Sequence, residues 1–211
     1  MTISKIYGTA LIRHNVFRAL WALWKDGYLR DHGWFRSFGE RSPVDAAGRP
    51  VPWMGYCVID FLEERLTRDF RIFEFGSGGS TLFWASRCAE VVSYEASPEW
   101  YGRMAPQMPG NARLLLREGE SFYLPAEDFG TFDLAVVDGM DRNRLLDFVL
   151  ALCHERSVIL WDDSMREEYR PSFDFLRAEG WKRLRMSGIG PIQNCMRETS
   201  FFYRSGNCLE I

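Results

Sequence analysis

The sequence predicts an α/β protein built on a mostly parallel sheet with helices on both faces, and three observations support this fold class. After Arg71, short apolar runs alternate regularly with helical stretches, which is the pattern of βαβ units. The chain has 211 residues, of which 46% are apolar and 26% charged, enough for one well-cored domain. The last two apolar runs are joined by too short a segment for a crossover helix, so they should form an antiparallel closing hairpin.

The first seventy residues lack the regular alternation of strands and helices seen after Arg71. They are expected to form an N-terminal helical and irregular extension, or a lid, ahead of a domain at residues 71–211. Val16, Leu20 and Leu23 recur at helical spacing between basic residues and predict an amphipathic helix that ends near Gly27. We expect this helix to pack on the main domain rather than on a membrane surface. Residues 28–52, rich in Gly, Pro, Arg and aromatics, predict an irregular segment, and a second helix is expected at residues 54–67.

Seven strands are predicted in the rest of the chain, with helices between most of them. The strands are expected at residues 72–75, 91–95, 112–116, 133–137, 158–161, 182–186 and 200–203. The helices are expected at residues 80–88, 98–104, 142–153 and 171–179, the last one opened by Pro171 and closed by Gly180.

Charge and cysteine content exclude several classes of function. The 26 Lys and Arg residues nearly balance 29 Asp and Glu, so the chain has no global basic footprint for a nucleic-acid backbone. Five scattered cysteines without a CxxC pair predict neither a disulfide framework nor a zinc site. No secretory leader and no window of about 18 apolar residues is visible. We therefore expect a cytoplasmic protein with no nucleic-acid and no membrane partner.

A glycine-rich turn after the first strand is the most informative segment. Residues 72–81 read IFEFGSGGST, in which three glycines let the backbone approach a ligand at a helix start. Thr81 replaces the third glycine of the dinucleotide-binding pattern, no Lys follows as in a P-loop, and Glu74 suits a cationic or amino-bearing ligand. The second strand ends in Glu95, where an acid in nucleotide-binding α/β folds accepts hydrogen bonds from ribose hydroxyls.

These segments, with FDLAVVDG at residues 132–139 and VILWDD at residues 158–163, resemble the class I S-adenosylmethionine-dependent methyltransferase superfamily over about residues 71–204. The resemblance implies a Rossmann-like seven-stranded sheet whose last strand lies antiparallel beside the fifth. It also implies that the turn holds the methionine part of S-adenosylmethionine, that Glu95 holds the ribose, and that residues 118–122 border the adenine. The cofactor-binding residues expected from it are Glu74, Gly76, Ser77, Gly78, Gly79, Ser80, Thr81, Glu95, Ala96, Glu120, Ser121, Asp138 and Gly139.

Acids at the ends of the fourth and fifth strands are the candidates for catalysis. The pattern is similar to that of small-molecule O-methyltransferases in which such acids bind a divalent metal that lowers the pKa of the acceptor hydroxyl. Asp138, Asp162 and Asp163 are therefore candidate ligands of Mg²⁺, and Asp138 and Asp162 are candidate catalytic residues. The alternative is that Asp138 contacts the cofactor or fixes its loop while Asp162 caps the next helix. Met140 and Asp141 stand where relatives that use a base often place His.

Three residues of the N-terminal region are further candidates. His32 is a candidate catalytic base if the aromatic irregular segment covers the acceptor site. Trp53 and Tyr56 either anchor the incoming segment on the core or cover the cofactor, since aromatic faces attract cations such as a sulfonium. Trp53 is therefore counted among the candidate cofactor-binding residues.

Together these features predict methyl transfer from S-adenosylmethionine to a small organic acceptor, in the first place a hydroxyl oxygen. The Asn/Asp-Pro-Pro-aromatic motif of many nucleic-acid amino-methyltransferases is absent from the sequence. Two alternatives stay open. One is a catalytically inactive cofactor-binding or regulatory protein of the same fold, and the other is a redox protein that uses NAD, against which Thr81 and Glu74 count. A homodimer formed through the N-terminal extension is a further expectation.

Overall fold

The computed structural model describes the backbone of residues 3–211 and the side chains of residues 14–211. Within these ranges the α-helices are α1 (Ile3–Lys25), α2 (Tyr28–Asp31), α3 (Trp34–Glu40), α4 (Tyr56–Arg65), α5 (Gly79–Ala85), α6 (Pro98–Met104), α7 (Leu146–Ala151) and α8 (Arg170–Ala178). The strands are β1 (Arg71–Phe75), β2 (Glu90–Glu95), β3 (Ala112–Leu116), β4 (Phe132–Val137), β5 (Cys153–Trp161), β6 (Lys182–Ile189) and β7 (Met196–Tyr203).

The strands form one sheet in the order β3-β2-β1-β4-β5-β7-β6, which confirms the predicted fold class. Strands β1 to β5 pair in parallel, whereas β7 is antiparallel to both β5 and β6. The last strand is thus inserted beside the fifth, as expected. Because the strand order reverses between β1 and β4, a crevice opens there at the carboxyl ends of the strands.

The core lies on both faces of this sheet. The side chains of β1 show how the sequence assigns residues to each face. Ile72 belongs to an apolar cluster with α4 and α5, whereas Phe73 and Phe75 belong to a second cluster with α7 and α8. Successive side chains of a strand point to opposite faces, so a continuous apolar run is what a sheet covered on both sides requires. Burial of each such side chain contributes roughly 1.5–3 kcal/mol before the cost of ordering the chain.

The N-terminal region differs from expectation in two places. The segment predicted to be irregular contains the short helices α2 and α3. The second helix forms as predicted in α4, which buries Val58, Ile59 and Leu62 in the same cluster as the sheet, so this helix is part of the core. The division of the chain at residue 70 stays a prediction.

The expectation that the first helix packs on the main domain is wrong for its described side chains. Every residue from 14 to 25 is exposed, including Phe17 at 69% and Trp24 at 54%. Periodicity identified the apolar face of this helix correctly but could not show whether a partner within the chain covers it. In the described part of the chain, no helix is both long and apolar enough to cross a membrane.

Candidate active site

A cavity of about 900 Å³ opens at the crevice beside the carboxyl ends of β1, β2 and β4. The turns that follow these strands form its wall, together with the segment after β5. The residues that line it are Gly76, Ser77, Glu95, Ala96, Ser97, Phe122, Asp138, Gly139, Met140, Asp141, Arg142, Asn143, Arg144, Arg166, Glu168 and Tyr169. Six residues predicted to bind a cofactor lie on this wall, namely Gly76, Ser77, Glu95, Ala96, Asp138 and Gly139.

Two glycines allow the turns to meet closely enough to shape the cavity. Gly76 has a φ of 101°, and a Cβ there would lie 3.2 Å from the carbonyl oxygen of Asp138. Gly139 leaves room for the ring of Phe122, which a Cβ would approach to 2.6 Å. A side chain at Gly76 would adopt a conformation that only glycine accepts without strain. The turn after β1 therefore packs directly against the turn after β4.

Glu95 presents a carboxylate to the cavity and is held in place by neutral donors. Its Oε2 accepts a 2.6 Å hydrogen bond from the Ser77 hydroxyl, and its Oε1 accepts a 2.8 Å bond from the Ser97 backbone N–H. The residue is 8% exposed and lies on the cavity wall. The described residues show no salt bridge to Glu95, so its negative charge remains for a ligand.

The structure corrects the predicted role of Glu74. This side chain is 1% exposed and accepts hydrogen bonds from the Thr81 hydroxyl at 2.5 Å, the Trp84 indole at 2.9 Å and the Ser93 hydroxyl at 2.9 Å. Burial raises the pKa of its carboxyl group, and these donors partly oppose the rise. Glu74 therefore supports the turn from inside the core and does not lie on the cavity wall. Thr81, which is fully buried and also accepts from the Gly78 N–H at 3.0 Å, has the same structural role.

Other predicted cofactor residues also lie off the cavity wall. Gly79 packs against the extension, since a Cβ there would lie 2.8 Å from the Val51 carbonyl oxygen. Glu120 forms an exposed ion pair with Arg144, and the Ser121 hydroxyl bonds to the Glu118 carbonyl at 2.7 Å. Gly78 and Ser80 do not line the cavity either. Phe122, which follows Ser121 in the sequence, does line it.

Trp100 is a neighbour of the glycine turn that sequence reasoning missed. Its indole N–H donates a 2.8 Å hydrogen bond to the Ser77 carbonyl, and its ring lies 3.9 Å from where a Gly78 Cβ would be. Helix α6 places it there, because the Ser97 hydroxyl caps this helix and accepts from the Trp100 N–H at 3.2 Å. The signal in the sequence was the Ser-Pro helix start directly after Glu95.

Asp138 is the predicted catalytic acid that reaches the cavity. Its side chain is 37% exposed, and its Oδ1 accepts a 2.8 Å hydrogen bond from the Arg142 guanidinium. Arg142 is nearly buried and also donates to the Gly139 carbonyl at 2.9 Å. Enclosure by surrounding protein and the nearby Asp162 raise the pKa of Asp138 to about 8, against the opposing charge of Arg142.

Asp162 and Asp163 lie deeper, and arginines neutralise them. Asp162 is fully buried and accepts from the Thr199 hydroxyl at 2.7 Å and from the Arg197 guanidinium at 3.1 Å. Burial raises the pKa of Asp162, and repulsion from Asp163 adds to the rise. Asp163 contacts Arg166 at 2.7 Å and Arg197 at 3.2 Å. Asp162 is therefore shielded from the cavity, and the prediction that it acts directly in catalysis is corrected.

The predicted Mg²⁺ site at Asp138, Asp162 and Asp163 does not fit this arrangement. Among the residues that the structure describes, no three His, Cys, Asp or Glu side chains are arranged to hold a metal ion. Mg²⁺ requires near-octahedral oxygen ligands, whereas these carboxylates already face the guanidinium groups of Arg142 and Arg197. A cation in the same place would be repelled by both arginines, so we assign no step to a metal.

The remaining candidates belong to the extension and lie away from the cavity wall. The two ring nitrogens of His32 lie 2.7 Å from the Tyr28 carbonyl oxygen and 2.8 Å from Asp60 Oδ1, and His32 does not line the cavity. The Trp53 indole donates to the Pro191 carbonyl at 3.1 Å and is 42% exposed. Tyr56 is buried under His32, with ring centroids 5.1 Å apart. Trp53 and Tyr56 thus anchor the extension, and Trp53 does not line the cofactor cavity.

The sequence matches no family profile and no curated protein, but its fold is shared by many solved structures. The N-methyltransferase NodS from Bradyrhizobium japonicum WM9 aligns at a TM-score of 0.52 and 13% identity, over 70% of this chain and 93% of that chain. A TehB-like SAM-dependent methyltransferase from Corynebacterium glutamicum aligns at 0.52 and 13%, over 69% and 86%. An rRNA methylase from Streptococcus thermophilus aligns at 0.51 and 13%, over 71% and 95%. At such identities the likeness shows the fold alone.

Proposed function

Because the chain has the fold of the class I S-adenosylmethionine-dependent methyltransferases, we propose that it binds S-adenosylmethionine and transfers the methyl group to a small organic acceptor. The observation that carries this proposal is the Glu95 carboxylate on the wall of the cavity of about 900 Å³. It emerges where ligands bind in open α/β sheets, and its partners are neutral. The cofactor, when bound, supplies a methyl group that is already activated by a sulfonium.

The lining residues complement the different parts of this cofactor. Glu95 accepts hydrogen bonds from the two ribose hydroxyls, and such charge-assisted bonds are the stronger kind. The backbone at Gly76 and Ser77 approaches the methionine part closely, because Gly76 has no side chain. Asp138 faces the same turn and offers a carboxylate to the cationic end of the methionine part. Phe122 supplies an apolar face for the adenine.

Asp138 is also the residue that we propose as general base. A hydroxyl acceptor must lose its proton as its oxygen bonds to the methyl carbon and the carbon–sulfur bond breaks. Arg142 fixes one carboxylate oxygen of Asp138, while the side chain stays open to the cavity. A carboxyl group whose pKa is raised towards neutrality is well matched to accept such a proton. This assignment replaces both the metal and His32 in the proposed reaction.

The acceptor is proposed to be a small organic hydroxyl compound. The whole chain is slightly acidic, and the cavity wall mixes apolar and charged groups instead of presenting a basic surface for a polyanion. Oxygen rather than nitrogen is proposed because a neutral hydroxyl is a weak nucleophile that needs a base such as Asp138 as it attacks, whereas a neutral amine attacks without prior loss of a proton.

Calorimetric titration of the purified chain with S-adenosylmethionine, S-adenosylhomocysteine and NAD tests the proposal. We expect both sulfur compounds to bind and NAD to give no heat; binding of NAD alone would reject the cofactor assignment. Incubation with a library of hydroxyl compounds should then release S-adenosylhomocysteine. Tight binding without turnover on any acceptor would favour the alternative of a catalytically inactive regulatory protein.

A further inference from the structure

The described part of α1 presents an unpartnered apolar arc to solvent. At about 100° per residue, its large apolar side chains fall within one arc of roughly 160°. They are Val16 (53% exposed), Phe17 (69%), Leu20 (59%), Trp21 (54%), Leu23 (46%) and Trp24 (54%). The opposite arc holds His14, Asn15, Arg18 and Lys25, all of them exposed. Six large exposed apolar side chains on one face indicate an interaction surface rather than scattered surface residues.

The charge of the N-terminal region has the opposite sign to that of the rest of the chain. The first 25 residues include no Asp or Glu. Residues 1–41 contain seven Lys or Arg against three Asp or Glu, a net charge of +4. Since the whole chain carries −3, residues 42–211 carry −7. The positive charge is therefore concentrated on the region that also exposes the apolar arc.

The neighbouring helices extend this surface. Tyr28 on α2 and Phe38 on α3 are 49% and 56% exposed. A groove of about 400 Å³ at the base of α1 is lined by Trp24, Phe35, Arg30 and Arg36 among others. Guanidinium groups beside aromatic rings suit the phosphate and the glycerol parts of a lipid headgroup.

We propose that α1, with the groove at its base, docks this protein on the surface of an anionic lipid membrane. An interfacial helix of this kind buries aromatic and aliphatic side chains at the boundary of headgroups and acyl chains, while basic side chains meet anionic headgroups. Arg18 and Lys25 lie beside the Trp21 edge of the arc and reach the headgroup level. The helix lies along the surface and does not cross it, in line with the lack of a spanning helix among the described residues.

Charge complementarity favours this partner over two others. A second copy of α1 would bring a second segment of the same positive charge close to the first, with no acid in residues 1–25 to offset it. A nucleic acid would match the charge but would leave the large apolar side chains of the arc without an apolar partner. An anionic bilayer meets both requirements at once. This proposal differs from the expectation from sequence that no membrane is involved, and it does not depend on the proposed chemistry.

Vesicle flotation of the full chain tests the proposal. We expect flotation with vesicles of phosphatidylcholine and phosphatidylglycerol, and at least about tenfold weaker binding to phosphatidylcholine alone. The double variant Trp21→Ser/Trp24→Ser should bind the anionic vesicles at least about tenfold more weakly. Arg18→Glu/Lys25→Glu should abolish the preference for phosphatidylglycerol. The matched control is Phe175→Ser, which removes a 44% exposed aromatic side chain from α8 and should float like the wild type.

Four results would overturn the proposal. The first is a wild type that stays unbound to anionic vesicles, and the second is a Trp21→Ser/Trp24→Ser variant that floats as well as the wild type. The third is a dimer in sedimentation equilibrium without lipid that this double variant dissociates, which would assign the arc to a second copy. Tighter binding to a single-stranded RNA than to the vesicles would overturn it as well. Thermal unfolding of the double variant should match the wild type, because both side chains are exposed.

Discussion

The two sides of the crevice place acids at strand ends but surround them differently. On the β1–β2 side, Glu95 accepts hydrogen bonds only from a hydroxyl and a backbone N–H. On the β5–β7 side, Asp162 and Asp163 both face Arg197. Glu95, with neutral partners only, keeps its charge for a ligand, whereas the charges of Asp162 and Asp163 pair with Arg197 and hold β5 and β7 together. Whether a strand-end acid is free to meet a ligand therefore depends on its partners and its exposure as well as on its position after a strand.

Substitution of Glu74 should give the largest effect on stability. This residue lies on the β1–β2 side of the crevice, but its role is structural. Glu74→Ala removes the acceptor of three buried donors, from Thr81, Trp84 and Ser93, and should lower the free energy of unfolding by about 4 kcal/mol. Glu74→Gln is the matched control. It keeps an acceptor oxygen and should cost less than half as much in urea denaturation. Equal losses would show that the hydrogen bonds are unimportant.

Substitution of Arg197 should give the next largest effect, because Arg197 forms ion pairs with both aspartates on the β5–β7 side. Arg197→Met leaves Asp162 and Asp163 without their shared cation and should lower the free energy of unfolding by about 3 kcal/mol. Arg166→Met is the comparison, because Arg166 also contacts Asp163 but is 51% exposed, and it should cost at most about 1 kcal/mol. If the two variants unfold alike, the buried pairing does not stabilise this side.

Glu95 should affect binding and not stability. Glu95→Ala should weaken S-adenosylmethionine binding by roughly 1–3 kcal/mol through lost hydrogen bonds to the ribose, measured by calorimetric titration. The free energy of unfolding should change by less than about 1 kcal/mol. Glu99→Ala, on the exposed face of α6, is the control and should bind as the wild type does. Unchanged affinity of Glu95→Ala would place the ribose elsewhere.

A smaller effect is expected from pH through Asp138. Its pKa is raised from 3.8 to about 8, so the folded state holds this proton more tightly than the unfolded state. The stability that the proton contributes is complete below pH 3.8 and is lost as the pH rises towards 8. Affinity for the cationic cofactor should rise as the pH passes through about 8, because the carboxylate of the folded protein forms there. Asp138→Asn should flatten the affinity profile, and a wild type with a flat profile would contradict the role given to Asp138.

Chelation should have the smallest effect of all. Because Arg142 and Arg197 occupy the surroundings of the three aspartates, EDTA should leave turnover and thermal unfolding unchanged. Restoration of a lost activity by Mg²⁺ would show that a metal displaces these arginines. That result would reinstate the metal site that the strand-end acids predicted.

Much of the fold could be predicted because its signals are local. The central strands contain short apolar runs, and α8 has characteristic residues at its two ends, Pro171 and Gly180. The turn at Gly76 and the strand end at Glu95 were also visible, since close backbone approach and a terminal acid are local requirements. The short helices α2 and α3 were missed, because a segment rich in glycine and arginine has little apolar periodicity.

The candidate site was only partly predictable, because the role of a charged side chain depends on what surrounds it. Nothing near Glu74 in the chain shows that Ser93 of the neighbouring strand donates to it. Some residues of the cavity wall follow β5, such as Arg166 and Tyr169. They belong to no recognisable sequence motif, and only the fold of the chain brings them to the cavity. Trp100 was missed because the Ser-Pro helix start predicts α6 but not the contact of its indole with the Ser77 carbonyl.

The sequence by itself determined the succession of strands along the chain, the glycine turn, the acid after β2 and the amphipathic character of α1. Each of these depends on the spacing of residues along the chain, which periodicity and backbone freedom reveal directly. The tertiary structure alone decided that Glu74 is braced in the core while Glu95 faces the cavity, that arginines stand where a metal was expected, and that the apolar arc of α1 has no cover. Burial and ion pairing depend on contacts between residues that are far apart in sequence, and the spacing of residues along the chain does not reveal such contacts.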